Sequence, residues 1–168
     1  MKRLLFVFTI LLATAGCDNW GDYQYKSEKF NFSMIFPDNW EVWDKSDDAR
    51  DFLVASIPDK PEAKIEVIVT RTAPDIHVNE LYPTFESGGD DPGTLQDFGV
   101  DEKKSVSAAN GEGRMIKVHW SGETKNMKGI RFLFIGNRYQ MNIRVEMAED
   151  DYVANELDFL KMVHRIQL

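Results

Sequence analysis

A single cysteine, Cys17, stands in a chain of 168 residues, so no internal disulfide can form. Histidine is nearly as scarce. His77, His119 and His164 are the only three, and none has a second histidine three or four residues away, which leaves out a paired-histidine metal motif on a helix. Glycine-rich phosphate loops are missing: Gly111-Glu112-Gly113 lacks a third glycine, and Gly88-Gly89 is not followed by lysine. The apolar run Leu4–Ala13 would reach about 15 Å as a helix, half a hydrocarbon core, so it is too short to span a bilayer. Positive charge is also in deficit, with 20 Lys and Arg against 28 Asp and Glu and a formal charge of −8. Phosphate backbones repel such a chain, and nucleic acid is not an expected partner.

What is present begins at the N-terminus. Lys2 and Arg3 give a short positive region, Leu4–Ala13 is apolar except for Thr9, and small residues follow at Thr14, Ala15 and Gly16. That is the build of a secretory leader rather than of a folded element. The segment Thr14-Ala15-Gly16-Cys17 resembles the bacterial lipoprotein signal, with threonine where leucine is usual. The resemblance implies cleavage between Gly16 and Cys17 and acylation of the cysteine, whose lipid chains would fix the protein to a membrane. Loss of Met1–Gly16 removes Lys2 and Arg3 and no acid, which takes the formal charge to −10. The mature protein is expected to sit on the cell membrane or outer membrane with its domain in the periplasm. Asp18 resembles a retention signal for the inner membrane.

About 150 residues remain, enough for one domain to bury about 68–70% of its unfolded surface without a metal or disulfide staple. With 43% hydrophobic and 12% aromatic residues the chain suits a packed core. Three parts are expected: a leader over 1–16, a lipidated tether over 17–26 and one globular domain over 27–168. Trp20, Tyr23 and Tyr25 in the tether suit either a membrane interface or the start of the fold.

Phe30, Phe32, Met34 and Phe36 alternate with Asn31, Ser33 and Ile35, a strand with one buried face. Pro37-Asp38-Asn39 is turn chemistry, and Trp40, Val42 and Trp43 lead the next strand. Phe52–Ile57 and Lys64–Arg71 read as two more strands. Val78, Leu81, Tyr82 and Phe85 fall at helical spacing, with Asp75 as cap, although Pro83 would start the helix late or kink it. Ser87–Gly99, rich in glycine and aspartate, reads as a mobile loop. Asn110-Gly111 and Gly136-Asn137 each sit between apolar alternations and mark hairpins, Lys103–Ser107 with Arg114–Trp120 and Ile130–Ile135 with Arg138–Met147. A final helix, capped by Asp150 or Asp151, would bury Val153, Leu157, Leu160 and His164, before a short closing strand at Arg165–Leu168. Hairpin strands with helices set apart from them predict an α+β domain.

The run Phe30-Asn31-Phe32-Ser33-Met34-Ile35-Phe36-Pro37-Asp38-Asn39-Trp40-Glu41-Val42, followed by Gly111–Val118, Phe132–Tyr139 and the closing helix, resembles the PsbP-like superfamily over Tyr25–Leu168. That superfamily includes a photosystem II subunit, a Ran-binding import factor and envelope lipoproteins of the DcrB type. The resemblance implies a central antiparallel sheet with helices on both faces. It also implies a protein that works by binding, without a common catalytic centre, so neither enzymatic activity nor a cofactor is expected. An unidentified envelope protein is the expected partner, beside the membrane lipid joined through Cys17; a small-ligand or calcium carrier is the alternative. The candidate surface residues are Trp40, Trp43, Asp90 and Asp91, each with a bland counterpart: packing for the tryptophans, a solvated loop for the aspartates. The acidic run Asp44/Asp47/Asp48/Asp51 offers oxygen ligands but not EF-hand spacing.

Overall fold

A computed structural model describes residues 23–72, 78–89, 91–108, 111–136 and 139–168. The expected lipidation segment with Gly16 and Cys17, the expected cap Asp75, and His77, Asp90, Asn110 and Asn137 lie outside the described residues. Among those described, no helix is long and apolar enough to cross a membrane.

Seven strands form one antiparallel sheet: β3 (Glu41–Asp44), β4 (Arg50–Ile57), β5 (Lys60–Arg71), β6 (Gln96–Ala108), β7 (Gly111–Ser121), β8 (Asn126–Ile135) and β9 (Tyr139–Ala148). Their spatial order is β3-β4-β5-β9-β8-β7-β6. Two meanders, β3-β4-β5 and β6-β7-β8-β9, therefore meet where β5 pairs with β9. The chain passes from the middle of the sheet to its far edge through helix α1 (Val78–Glu86) and a 3-10 turn at Asp91–Gly93. A separate hairpin of β1 (Gln24–Ser27) and β2 (Phe32–Ile35) precedes the sheet, and helix α2 (Glu149–His164) follows it.

Strand alternation sorts the sheet into two faces. Across the first, Leu53, Val67, Ile143, Phe132 and Met115 are paired strand to strand, and each is fully buried. Phe32, Met34 and Phe36 from the hairpin close this core together with Tyr152, Phe159, Met162 and Val163 from α2. Each such side chain contributes about 1.5–3 kcal/mol by leaving water. On the opposite face Ile116, Val118 and Trp120 make a smaller cluster, met by Phe85 of α1 and by Leu95 and Phe98 after it.

Several expectations need correction. The apolar alternation over 30–36 is right in phase, but Asn31 has φ +54°, and this left-handed turn breaks the segment so that β2 starts at Phe32. The preceding β1 takes in Gln24, Tyr25 and Lys26 from the segment read as a tether, with Tyr25 opposite Met34. Pro83 lies inside α1, which begins at Val78, within a residue of the late start near Asn79 that the proline predicts. The segment read as a mobile loop over 87–99 instead carries the 3-10 turn and the first residues of β6. The closing strand reduces to one bridge, where Gln167 and Ser33 exchange backbone bonds of 2.9 and 3.0 Å.

The final helix is turned relative to the expected phase. Its inward residues are Tyr152, Phe159, Met162 and Val163, while Val153 is 69% exposed and Leu157 71%. His164, expected on the apolar side, is exposed and contacts the Ser107 carbonyl through Nδ1 at 2.8 Å. Two aromatic side chains, Tyr152 and Phe159, seven residues apart, outweigh the aliphatic stripe because they bury more surface. No side chain caps α2 at Ala148; Glu149, Asp150 and Asp151 instead occupy its first turn, where the helix dipole favours negative charge.

Candidate functional site

The core row Ala55–Ile65–Val145–Ile130 ends on β7 at Lys117, and the next row, Met147–Lys128, ends at His119. Apolar pairing thus stops at β8 in the first row and at β9 in the second, and charged side chains on β7 and β8 take its place beneath α2. The result is a groove of about 730 Å³ with β7 and β8 as its floor. Asp97, Asp101 and Glu102 of β6 line one wall, and Glu149, Tyr152, Val153 and Glu156 of α2 the other.

Irregularities in β6 build the first wall. Its register against β7 shifts between Gln96 and Gly99 and again between Val100 and Glu102. A bulge of this kind re-aims side chains, and Asp101 reaches His119 Nδ1 at 2.7 Å while Glu102 faces Lys117. Gly99 opposes His119, and a Cβ there would stand 2.3 Å from the imidazole, so glycine leaves room for the ring.

The ion pairs cross the groove. Lys117 Nζ lies 2.6 Å from Glu102 Oε2 and 2.6 Å from Glu156 Oε1, joining β6 to α2. Lys128 meets Glu149 at 2.7 Å, and the Ser121 hydroxyl donates to Asp97 at 2.9 Å. Hydrogen bonds from Lys117 and Lys104 hold the Glu102 carboxyl below its ordinary range, and Glu102 and Glu156 in turn raise the Lys117 ammonium. Lys128 lowers Glu149 in the same way. Tyr152 is the exception in this satisfied network. Only 3% exposed, its hydroxyl has no hydrogen-bond partner. Burial raises it strongly, and the charges of Glu156, Glu102 and Asp101 raise it further, so it remains a neutral phenol.

The surface residues expected from sequence are not brought together. Trp40 is 6% exposed and packs edge-on against Phe159, with ring centroids 6.0 Å apart, inside the core. Trp43 is 44% exposed on the edge strand β3. Asp91, read as part of a solvated acidic loop, is buried: Arg144 Nη2 lies 2.9 Å from both its carboxylate oxygens, and the Arg131 guanidinium contacts it from β8. Arg131 is itself 4% exposed, lies over the Phe98 ring, and has its pKa pulled down to about 10 by burial and by the like charge of Arg144.

Three members of the acidic run over 44–51 are also committed, and Asp48 is exposed. Asp44 accepts from the Ser46 amide, Asp47 from the amides of Ala49 and Arg50, and Asp51 pairs with Lys29 at 3.0 Å. Among the described residues no group of three or more His, Asp or Glu side chains is arranged to hold a metal ion. The groove has little imprint on the sequence. Its one legible signal was the pair Lys117 and His119, polar residues that share a strand face with Met115.

No family model matches the chain, and no curated protein matches it in sequence. Solved structures do match. The solution structure of cyanobacterial PsbP (CyanoP) from Synechocystis superposes with a TM-score of 0.65 at 11% identity, over 94% of this chain and 98% of that one. LpqN, involved in cell envelope biogenesis of Mycobacterium tuberculosis, gives 0.62 at 15% identity, over 82% and 84%. The Ran-binding protein Mog1p of Saccharomyces cerevisiae gives 0.53 at 10% identity, over 88% and 95%. At these identities the likeness is one of architecture, and the chain has a PsbP-like fold.

Proposed function

We propose that the protein is a non-enzymatic accessory protein of the bacterial cell envelope, held on a membrane by acylated Cys17 and binding an envelope partner through the groove between α2 and β6–β8. The observation that carries this reading is the groove itself. It is open, lined on both walls by charged side chains already held in place by one another, and bordered by the exposed Val153. Preset charges of this kind suit recognition, because little ordering remains to be done when a partner arrives. LpqN, which shares the fold, is a protein of envelope biogenesis. The lipobox-like segment six residues ahead of Tyr23 supports display at a membrane, which raises the effective concentration of the domain near any membrane-bound partner.

Site-specific photo-cross-linking in intact cells tests this. A cross-linker at Val153 is expected to yield a discrete adduct that Glu156→Gln diminishes, while one at Trp43 on the distant edge yields none. Adducts of equal yield from both positions, or from neither, would refute the groove as the contact surface.

A further inference from the structure

The groove carries an excess of one charge and one unmet polar group. Five carboxylates line it, from Asp97, Asp101, Glu102, Glu149 and Glu156, against Lys117, Lys128 and His119. Among them is the buried Tyr152 hydroxyl with no partner, and the charges acting on it come from Glu156, Glu102 and Asp101, three residues of the same lining. An orphaned buried hydroxyl is costly, so native proteins seldom keep one without a use for it. Lys117 shows what chemistry suits the place: an aliphatic ammonium suspended between two carboxylates.

Resting on the binding reading above, we propose that the groove recognises a second aliphatic primary ammonium on a flexible apolar stem, the chemistry shared by a lysine side chain and a free polyamine. The head group enters among Asp101, Glu102 and Glu156 and donates to the Tyr152 oxygen, while its stem lies along Val153. The walls suit this ligand in both respects. Negative charge attracts the head, and Val153, 69% exposed at the groove edge, offers apolar contact to the methylenes. A carboxylate or phosphate ligand would meet repulsion from the same walls.

Calorimetric titration of the detergent-solubilised mature protein tests the assignment. The probes are spermidine, a blocked tripeptide with a central lysine, and the same tripeptide with norleucine, which keeps the stem and loses the charge. Lysine peptide or spermidine should bind, norleucine should not, and affinity should fall as salt rises. Tighter binding of spermidine assigns the ammonium to a free polyamine; tighter binding of the lysine peptide assigns it to a protein side chain. Tyr152→Phe should weaken binding roughly tenfold, as expected for a lost hydrogen bond to a charged group. It should leave the thermal midpoint unchanged or raised, because a buried hydroxyl without a partner has been removed. A merely structural tyrosine would not separate the two effects. Glu156→Gln, at the rim of the groove, should weaken binding at least as much and serves if Tyr152→Phe fails to fold. Equal binding of the lysine and norleucine peptides, absence of binding to every probe, or unchanged affinity in the folded variants would overturn the inference. A Val153 cross-link that persists alongside such a result leaves the binding reading standing and removes only the ammonium.

Discussion

Arg144 holds both carboxylate oxygens of Asp91 at 2.9 Å, and through that contact the crossover leaving α1 is fastened to the middle of the sheet. Arg131 from the neighbouring strand closes on the same carboxylate, with its side chain 4% exposed and that of Asp91 12%. Next to them Gly88 has φ +94°, and a Cβ there would stand 2.5 Å from the Phe98 ring that lies beside Arg131. The crossover is therefore tied by charge and by close packing at one point.

Asp91→Asn leaves two arginines facing each other without their shared counter-charge, one of them buried. Removal of one partner from a buried pair costs about 3–5 kcal/mol. Urea denaturation should show a loss of at least about 3 kcal/mol, whereas Asp48→Asn, on the exposed turn, should stay within about 0.5 kcal/mol. Equal effects would mean that the Asp91 contact does not bear on folding.

The phase of α2 gives a sharper contrast. Phe159→Ala empties a fully buried site against Trp40 and should cost about 3–5 kcal/mol. Leu157→Ala, two residues away and 71% exposed, should change stability by no more than about 0.5 kcal/mol. Trp40 fluorescence should shift in the first variant and not in the second. The reverse pattern would restore the aliphatic stripe as the inward face.

That helix shows where sequence patterns are legible and where they are not. Period-2 alternation in β9 leaves no ambiguity, because Met141, Ile143, Val145 and Met147 share a face with no competing set, and the structure buries all four. The Phe32–Met34–Phe36 alternation was as clear. The α2 sequence carries two overlapping apolar stripes, and helical spacing alone does not choose between Val153–Leu157 and Tyr152–Phe159. The sheet beneath makes the choice. Asp91 shows a different shortfall: two adjacent aspartates in a glycine-rich stretch look solvated until Arg131 and Arg144, 40 and 53 residues further along, are brought against one of them. The groove was hidden for the same reason, since Glu102, Lys117, Tyr152 and Glu156 come from three separate elements.

The pairs across the groove set a pH window. Glu102 and Glu149 have folded pKa values below their ordinary 4.5, so their contribution to stability is complete above that value and is lost as pH falls through the depressed ones. Lys117 is raised above its ordinary 10.5, so its contribution is complete below that value and is lost as pH rises through the raised one. The share of the urea midpoint that these pairs carry should therefore be constant between these limits and decline on both sides. Lys117→Met should reduce the groove's share of the alkaline decline to the part carried by Lys128, which Glu149 raises in the same way, and should shallow the acid decline. Unaltered flanks in that variant would show that the pairs do not couple to folding.

The proposed membrane attachment rests on the chemistry of one sulfur atom, that of Cys17. Two or more acyl chains, at about 0.8 kcal/mol for each buried methylene, hold a protein firmly, whereas an unmodified cysteine holds nothing. Intact-mass and N-terminal fragment spectra of the native protein, purified from membranes, should show a chain that begins at Cys17 and carries a thioether-linked diacylglyceryl group. A free thiol at that position, or a chain still starting at Met1, would contradict the anchored accessory protein proposed for this fold.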